Sequence, residues 1–201
     1  MIANIKDKAT LRAEALARRD TLTTTERELK SRAIAERAVA IVANLQPDVV
    51  AAYMPIWSEV DPRGIIAWAH DRGIAVALPT IHAPYDLIFR LHRPGDELEA
   101  HRFGTLAPRA DASIAYPDVI VAPVIAFDRT GTRLGYGRGF YDRAIAALAA
   151  RGRRPTIIGV AFSVQEASAI PAEPHDQKLD WIVTEKEMIA PKVRFPETTR
   201  Q

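Results

Sequence analysis

Residues 127–143 read Phe-Asp-Arg-Thr-Gly-Thr-Arg-Leu-Gly-Tyr-Gly-Arg-Gly-Phe-Tyr-Asp-Arg, between an apolar run at 119–127 and an alanine-rich stretch at 140–150. The pattern is a strand, a glycine-rich cationic loop and a helix, which is the building unit of an α/β fold. Gly135, Gly137 and Gly139 remove the Cβ at alternate positions, so backbone N–H groups can approach an anion closely. Arg133 and Arg138 add charge, and the following helix turns its positive end toward the same space. Asp142 falls in the first turn of that helix, where a carboxylate can hold a Mg²⁺ that bridges phosphate oxygens. A plain surface turn, with Asp142 complementing the helix dipole, is the competing reading. Neither a Gly-Lys-Ser/Thr ending nor a G-x-G-x-x-G spacing is present, so the loop implies a phosphate-bearing ligand without a standard nucleotide fold.

Working outward, residues 5–20 have helix-forming composition, and Thr25-Glu-Arg-Glu28 has the form of a capping box. It opens a second helix with Leu29, Ile34, Ala38, Ile41, Val42 and Leu45 at helical spacing. Residues 48–54 read as a strand, and Asp61-Pro62 as the cap and first turn of a helix ending near Gly73. Strands are expected at 74–78 and 87–91, and residues 94–117, rich in Gly, Pro and charge, as a long loop. The run 119–127, interrupted by Pro123, is apolar enough to be buried on both faces. With further strands at 156–162 and 181–184, strands alternate with helices, which predicts a mostly parallel sheet between helical layers. Ligands in such sheets gather at the carboxyl ends of the strands, where Met54, Asp128 and the glycine loop would emerge.

At 201 residues the chain is long enough for one α/β domain, and no linker or charge block divides it. It has no cysteine, which excludes disulfides, a thiol nucleophile and cysteine-ligated metal. The amino-terminal residues mix charges and lack the apolar core of a signal peptide, and no run approaches the ~20 apolar residues that span a bilayer. A cytoplasmic protein without membrane contact is expected. The 27 basic residues stand against 25 acidic ones, and the clusters Arg18-Arg19 and Arg151-Gly-Arg-Arg154 are short and far apart, so nucleic acid is not expected. The second cluster reads as a helix carboxyl end capped by Gly152.

Three segments together carry a family resemblance: Gly-Thr-Arg-Leu-Gly-Tyr-Gly-Arg-Gly-Phe-Tyr-Asp at 131–142, Tyr-Met-Pro-Ile-Trp-Ser-Glu-Val-Asp at 53–61, and Pro-x-x-Pro-His-Asp-x-x-Leu-Asp at 171–180. Taken in their order along the chain, and within a match from Lys8 to about Glu185, they resemble the 5-formyltetrahydrofolate cyclo-ligase family. The resemblance implies one domain over 1–201, a three-layer αβα fold similar to the sugar-phosphate isomerase and CoA-transferase group, and a monomer with an oligomer left open. It also implies an ATP- and Mg²⁺-dependent cyclisation of 5-formyltetrahydrofolate to 5,10-methenyltetrahydrofolate, with release of ADP and phosphate through an iminium phosphate.

Carried over residue by residue, the resemblance places ATP at Lys8, Arg12 and the loop residues Arg133, Leu134, Gly135, Tyr136, Gly137, Arg138, Gly139, Phe140 and Tyr141. It places the folate at Met54, Glu59 and the shared segment Tyr136 to Phe140, and Mg²⁺ at Asp142 and Asp176. Arg133, Tyr141 and Asp142 are the implied catalytic residues. Arg138 stands where relatives often carry glycine or lysine, and Phe140 where tyrosine is usual, so position 140 carries no hydroxyl. Read alone, Lys8 and Arg12 are four residues apart on a solvated helix face, Met54 fills core at a strand end, and Glu59 is a loop acid. His175 is expected to be structural, since Mg²⁺ takes hard oxygen donors.

Overall fold

A computed structural model describes residues 6–82 and 86–191, so residue 5 of the expected leading helix, and most of the mixed-charge amino terminus, lie outside the described residues. Helix α1 is Lys8–Asp20, opened by Asp7, whose carboxylate accepts the Thr10 N–H at 2.7 Å. Helix α2 is Thr24–Leu45, and its capping box is Thr23 with Glu26 instead of the expected Thr25 with Glu28. Three consecutive threonines give two matches to the box, and burial of Leu22 in the core fixes the earlier one.

Strand β1 is Val49–Ala51, shorter than expected because the chain leaves the sheet toward the site. Helix α3 is Arg63–Asp71, with Pro62 at the cap position and the Asp61 carboxylate accepting the Arg63 N–H at 2.9 Å. Strands β2 (Ala75–His82) and β3 (Asp86–His92) form an antiparallel pair and are longer than the sequence pattern indicated, because each supplies the other's hydrogen bonds. The expected long loop is more ordered than its composition suggests. It holds β4 (Leu98–Ala100) paired to β5 (Leu106–Pro108) around one 3-10 turn at Arg102–Gly104, and β6 (Ile114–Ala115) paired to β3. Strands this short carry no periodicity, so only pairing reveals them.

Strand β7 (Val119–Pro123) ends at the proline, which has no N–H for a ladder. After it, the carbonyls of Val124 and Ile125 are taken by the Gln165 amide, and β8 (Ala126–Phe127) pairs with β9 (Arg133–Leu134). Helix α4 is Phe140–Ala150 and ends, as expected, on Gly152, whose φ is 75° and whose N–H reaches the Ala149 carbonyl. Strands β10 (Thr156–Val160), β11 (Trp181–Val183) and β12 (Met188–Ile189), with a 3-10 turn at Ser163–Gln165 after β10, complete the described elements.

The eight-stranded sheet runs β12-β11-β10-β7-β1-β2-β3-β6, with β11, β10, β7, β1 and β2 parallel and antiparallel strands at both edges. Alternate residues face opposite layers, as the two-residue period of a strand requires. Val50, Val76, Leu78, Val121 and Ile158 meet Ile34, Ala38 and Ile65 of α2 and α3. Ala51, Ala77, Ile120, Ala122 and Ile157 meet Ile145 and Leu148 of α4 on the other face. This is the expected αβα sandwich, in which each fully buried aliphatic side chain contributes about 1.5–3 kcal/mol. A third cluster packs Leu11 and Ala15 of α1 on Ile125, Ala126 and Leu134, which seats the amino-terminal helix beside the glycine loop.

Candidate active site

From β1 the strand order proceeds through β2 to one edge, and from β7 through β10 and β11 to the other, so the order reverses between β1 and β7. Ligands of open α/β sheets bind beyond the carboxyl ends of strands at such a reversal. Here the segment after β1 carries Met54 and Glu59, and the chain after β7 carries the glycine loop.

In that loop Gly137 and Gly139 take positive φ of 86° and 64°, a region costly for any residue with a Cβ, whereas Gly135 does not need it. Gly139 caps α4 without a side-chain hydrogen bond, so the first-turn N–H groups of that helix face the loop without a side-chain cap. Arg12 Nε donates to the Gly135 carbonyl at 2.8 Å, and its guanidinium lies 3.4 Å from where a Cβ on Gly137 would stand. Two of the sequence-assigned anion contacts are thereby brought together.

Lys8 Nζ lies 2.9 Å from Asp176 Oδ2 and 3.3 Å from Glu173 Oε2. Burial alone would raise the Asp176 carboxyl, but the hydrogen bonds from Lys8 and the Glu173 N–H hold it below its ordinary value. Arg133 is buried and donates to Asp142 Oδ1 at 2.8 Å and to the Gln177 carbonyl, while the Gln177 N–H reaches the same Asp142 oxygen at 3.0 Å. Asp142 therefore ties α4 to the 173–177 loop, which the sequence reading did not anticipate. Gln177, which binds Asp142, follows Asp176 in the chain, and each of these two carboxylates is neutralised by a cation assigned to ATP or catalysis.

On the β1 side, Glu59 Oε2 accepts the Ile56 N–H at 3.0 Å and Oε1 accepts the Tyr136 hydroxyl at 3.3 Å. Burial raises the Glu59 carboxyl above its ordinary value, only partly offset by the Ile56 N–H and Arg19. Tyr136 thus links the glycine loop to Glu59 and joins the two halves of the site. Tyr141 packs against the α4-side core, and burial, with the Glu59 charge second, keeps its hydroxyl protonated. Met54 packs against the α2–α3 core at the start of the same segment, as its strand-end position suggested.

Several residues of the site were not singled out in the sequence. Arg19 is 2% exposed, and its Nε donates to Ser58 Oγ at 2.9 Å while its Nη2 lies 3.5 Å from the Tyr136 hydroxyl. Its position seven residues after Arg12 on one helix face was the available signal. Phe103 reaches the loop from the 3-10 turn: the Arg138 guanidinium lies 4.3 Å from its ring and Phe140 lies 6.2 Å away. Arg138 and Phe140 therefore meet on one aromatic side chain. Of the basic cluster after α4, Arg153 pairs with Asp118, Arg154 with Asp180, and Arg151 lies over the Tyr116 ring. Among the described residues, the metal-type group is Glu173, His175 and Asp176, and no helix is long and apolar enough to cross a membrane.

The switch-point site with its glycine loop, paired cations and carboxylates defines an αβα enzyme. The chain belongs to the 5-formyltetrahydrofolate cyclo-ligase family, whose sequence model matches residues 4–185. The Escherichia coli K12 5-formyltetrahydrofolate cyclo-ligase is 30% identical over 174 residues, covering 83% of this chain and 94% of its own length. That of Mycolicibacterium smegmatis is 35% identical over 146 residues, 68% of this chain and 73% of its own. The solved 5,10-methenyltetrahydrofolate synthetase of Aquifex aeolicus superposes with a TM-score of 0.78 at 27% identity, covering 96% of each chain. The Mycoplasma pneumoniae synthetase gives 0.73 at 25% identity, covering 90% of this chain and 99% of that one.

Proposed function

We propose that this protein cyclises 5-formyltetrahydrofolate to 5,10-methenyltetrahydrofolate with ATP and Mg²⁺, releasing ADP and phosphate, at the site between β1 and β7. The observation that carries the reading is Tyr136, which joins the glycine loop to Glu59 and so sets the phosphate-type and pterin-type contacts side by side. A formamide oxygen is a poor leaving group. Transfer of the γ-phosphoryl to it gives an iminium phosphate, the folate N10 attacks the formyl carbon, and phosphate departs as the ring closes.

The donor chemistry fits a Mg²⁺ ion, because Asp176 lies in a cluster with Glu173 and His175, and Asp142, which accepts the Gln177 N–H, offers a further hard carboxylate oxygen. Bound there with ATP, the metal supplies neutralisation of phosphate charge. Lys8 and Arg12 approach from one face of α1 and bind the triphosphate, with the loop N–H groups and the start of α4. Arg133, held by Gln177, orients Asp142 and contributes positive charge where the phosphoryl group moves. Glu59 accepts from the N–H edge of the pterin, Met54 lines the ring's approach, and the segment Tyr136 to Phe140 faces both ligands. Bringing the formyl oxygen, phosphoryl group and N10 together is the main task of such a site.

An absorbance assay for methenyltetrahydrofolate, omitting ATP, Mg²⁺ and the formyl substrate in turn, tests the reading. Product is expected only in the complete mixture. Absence of product there, or its persistence without ATP, overturns it.

A further inference from the structure

Among the described residues three non-glycine positions have positive φ, and one of them, Gln46, caps α2. A second, Trp57, has φ 51° and is 74% exposed, although it lies between the end of β1 and Glu59. An aromatic residue is disfavoured in left-handed backbone, and an exposed indole gains nothing from burial. Both disadvantages fall on one residue at the mouth of the site.

The local structure displays this ring on a rigid mount. Trp57 and Ser58 are the central residues of a turn closed by the Glu59 N–H on the Ile56 carbonyl at 3.1 Å, and the Glu59 carboxylate closes it a second time on the Ile56 N–H. Positive φ at the first central position of a turn normally selects glycine, asparagine or aspartate. Ser58 is pinned inward, accepting from Arg19 Nε at 2.9 Å and donating to Asp20. With Ser58 turned in, Trp57 is turned out. Its ring meets Tyr136 edge to face, with centroids 5.4 Å apart and planes at 70°, which leaves most of the indole face uncovered. One wall thus holds a flat aromatic surface, a second ring at right angles and, two residues on, a carboxylate acceptor.

We propose that Trp57 is a positioning and specificity residue for the folate, its indole forming an aromatic wall on which the pteridine ring stacks while Glu59 takes the N–H edge of that ring. The pyrimidinone half of the reduced pteridine is flat and edged with N–H donors, so an indole face beside a carboxylate matches it on both counts. The turn's clamp by Ser58 and Arg19 fixes the ring before the ligand arrives, which limits the ordering cost of binding. This assignment rests on the cyclo-ligase reading.

The test is a calorimetric titration of 5-formyltetrahydrofolate into the wild-type protein and Trp57→Phe, Trp57→Ala and Trp57→Gly, with ATP titrated separately. Trp57→Ala and Trp57→Gly are expected to lose about ten- to a hundredfold in folate affinity, the size of a lost ring-on-aromatic stack, with ATP affinity unchanged. Trp57→Phe keeps most of the affinity, and Trp57→Gly melts no lower than the wild type because glycine relieves the positive φ. In turnover assays the KM for folate rises more than kcat falls. Unchanged folate affinity in the alanine and glycine variants overturns the role of Trp57 while leaving the activity standing. A wild-type protein that binds no folate overturns both.

Discussion

Glu59 is the residue on which the pterin assignment turns, and its environment gives that assignment a signature in pH. Its carboxyl lies above the ordinary value of 4.5 because burial disfavours the charge. The folded state therefore holds this proton more tightly than the unfolded chain, and the stability gained is fully present below about pH 4.5 and lost as pH rises through the raised value. Glu59→Gln can keep both hydrogen bonds, accepting from Ile56 and meeting the Tyr136 hydroxyl, but has no charge to bury. We expect the ligand-free variant to melt slightly above the wild type at pH 8, with the difference vanishing near pH 4. Its folate affinity should fall about ten- to a hundredfold, since an amide mismatches the pterin donors. Calorimetry and melting curves across pH check both halves. Lys8 shows the same double character. In this structure it neutralises Asp176 and Glu173, so Lys8→Ala with Arg12→Ala should weaken ATP more than folate. Lys8→Ala alone should tighten Mg²⁺ measured without nucleotide, because the competing cation has gone. Equal weakening of both organic ligands by the double variant would contradict the phosphate role.

At the scale of elements, two contacts hold the site's loops to its helices. Asp142 fastens α4 to the 173–177 loop, so Asp142→Ala removes an anchor as well as a candidate metal ligand. Asp142→Asn separates the two, because its carbonyl still accepts from Gln177. We expect turnover to collapse in both variants, but hydrogen exchange at residues 173–178 to quicken only in the alanine variant. Normal activity at saturating Mg²⁺ in the asparagine variant would remove Asp142 from the metal site. The second contact is Phe103, whose φ of 63° is also strained and whose ring sits under the Arg138 guanidinium. Such a cation–π contact is worth roughly 0.5–1 kcal/mol when exposed. Phe103→Ala should therefore speed proteolysis and exchange at residues 101–105 without moving the global melting temperature by more than a degree or two. Protection unchanged at these residues would show that the clasp does not hold the turn.

At the scale of the whole molecule, the sandwich was legible because the signals are local and repeated. Two-residue alternation in β2, β7 and β10 sorts their side chains between two helical layers, and α2 and α4 carry their own spacing and caps. The need for glycine at 137 and 139, and the place of Asp142 in the first turn of α4, were legible for a similar reason, since a loop feeding a helix announces its backbone needs in its own residues. Sequence alone therefore determined the fold class, the glycine loop and, through three collinear motifs, the family. It left undecided everything that depends on partners distant in the chain. The 94–117 segment hid β4, β5 and β6 because two- and three-residue strands exist only through pairing. Arg19 looked like half of a surface dipeptide until packing buried it beneath Ser58 and Tyr136. Trp57 and Phe103 had no pattern to mark them, because backbone strain and exposure are properties of the assembled chain. Only the tertiary structure brought Lys8 to Asp176, 168 residues away, and Tyr136 to Glu59, 77 residues away, because local composition cannot encode which charges burial will force together.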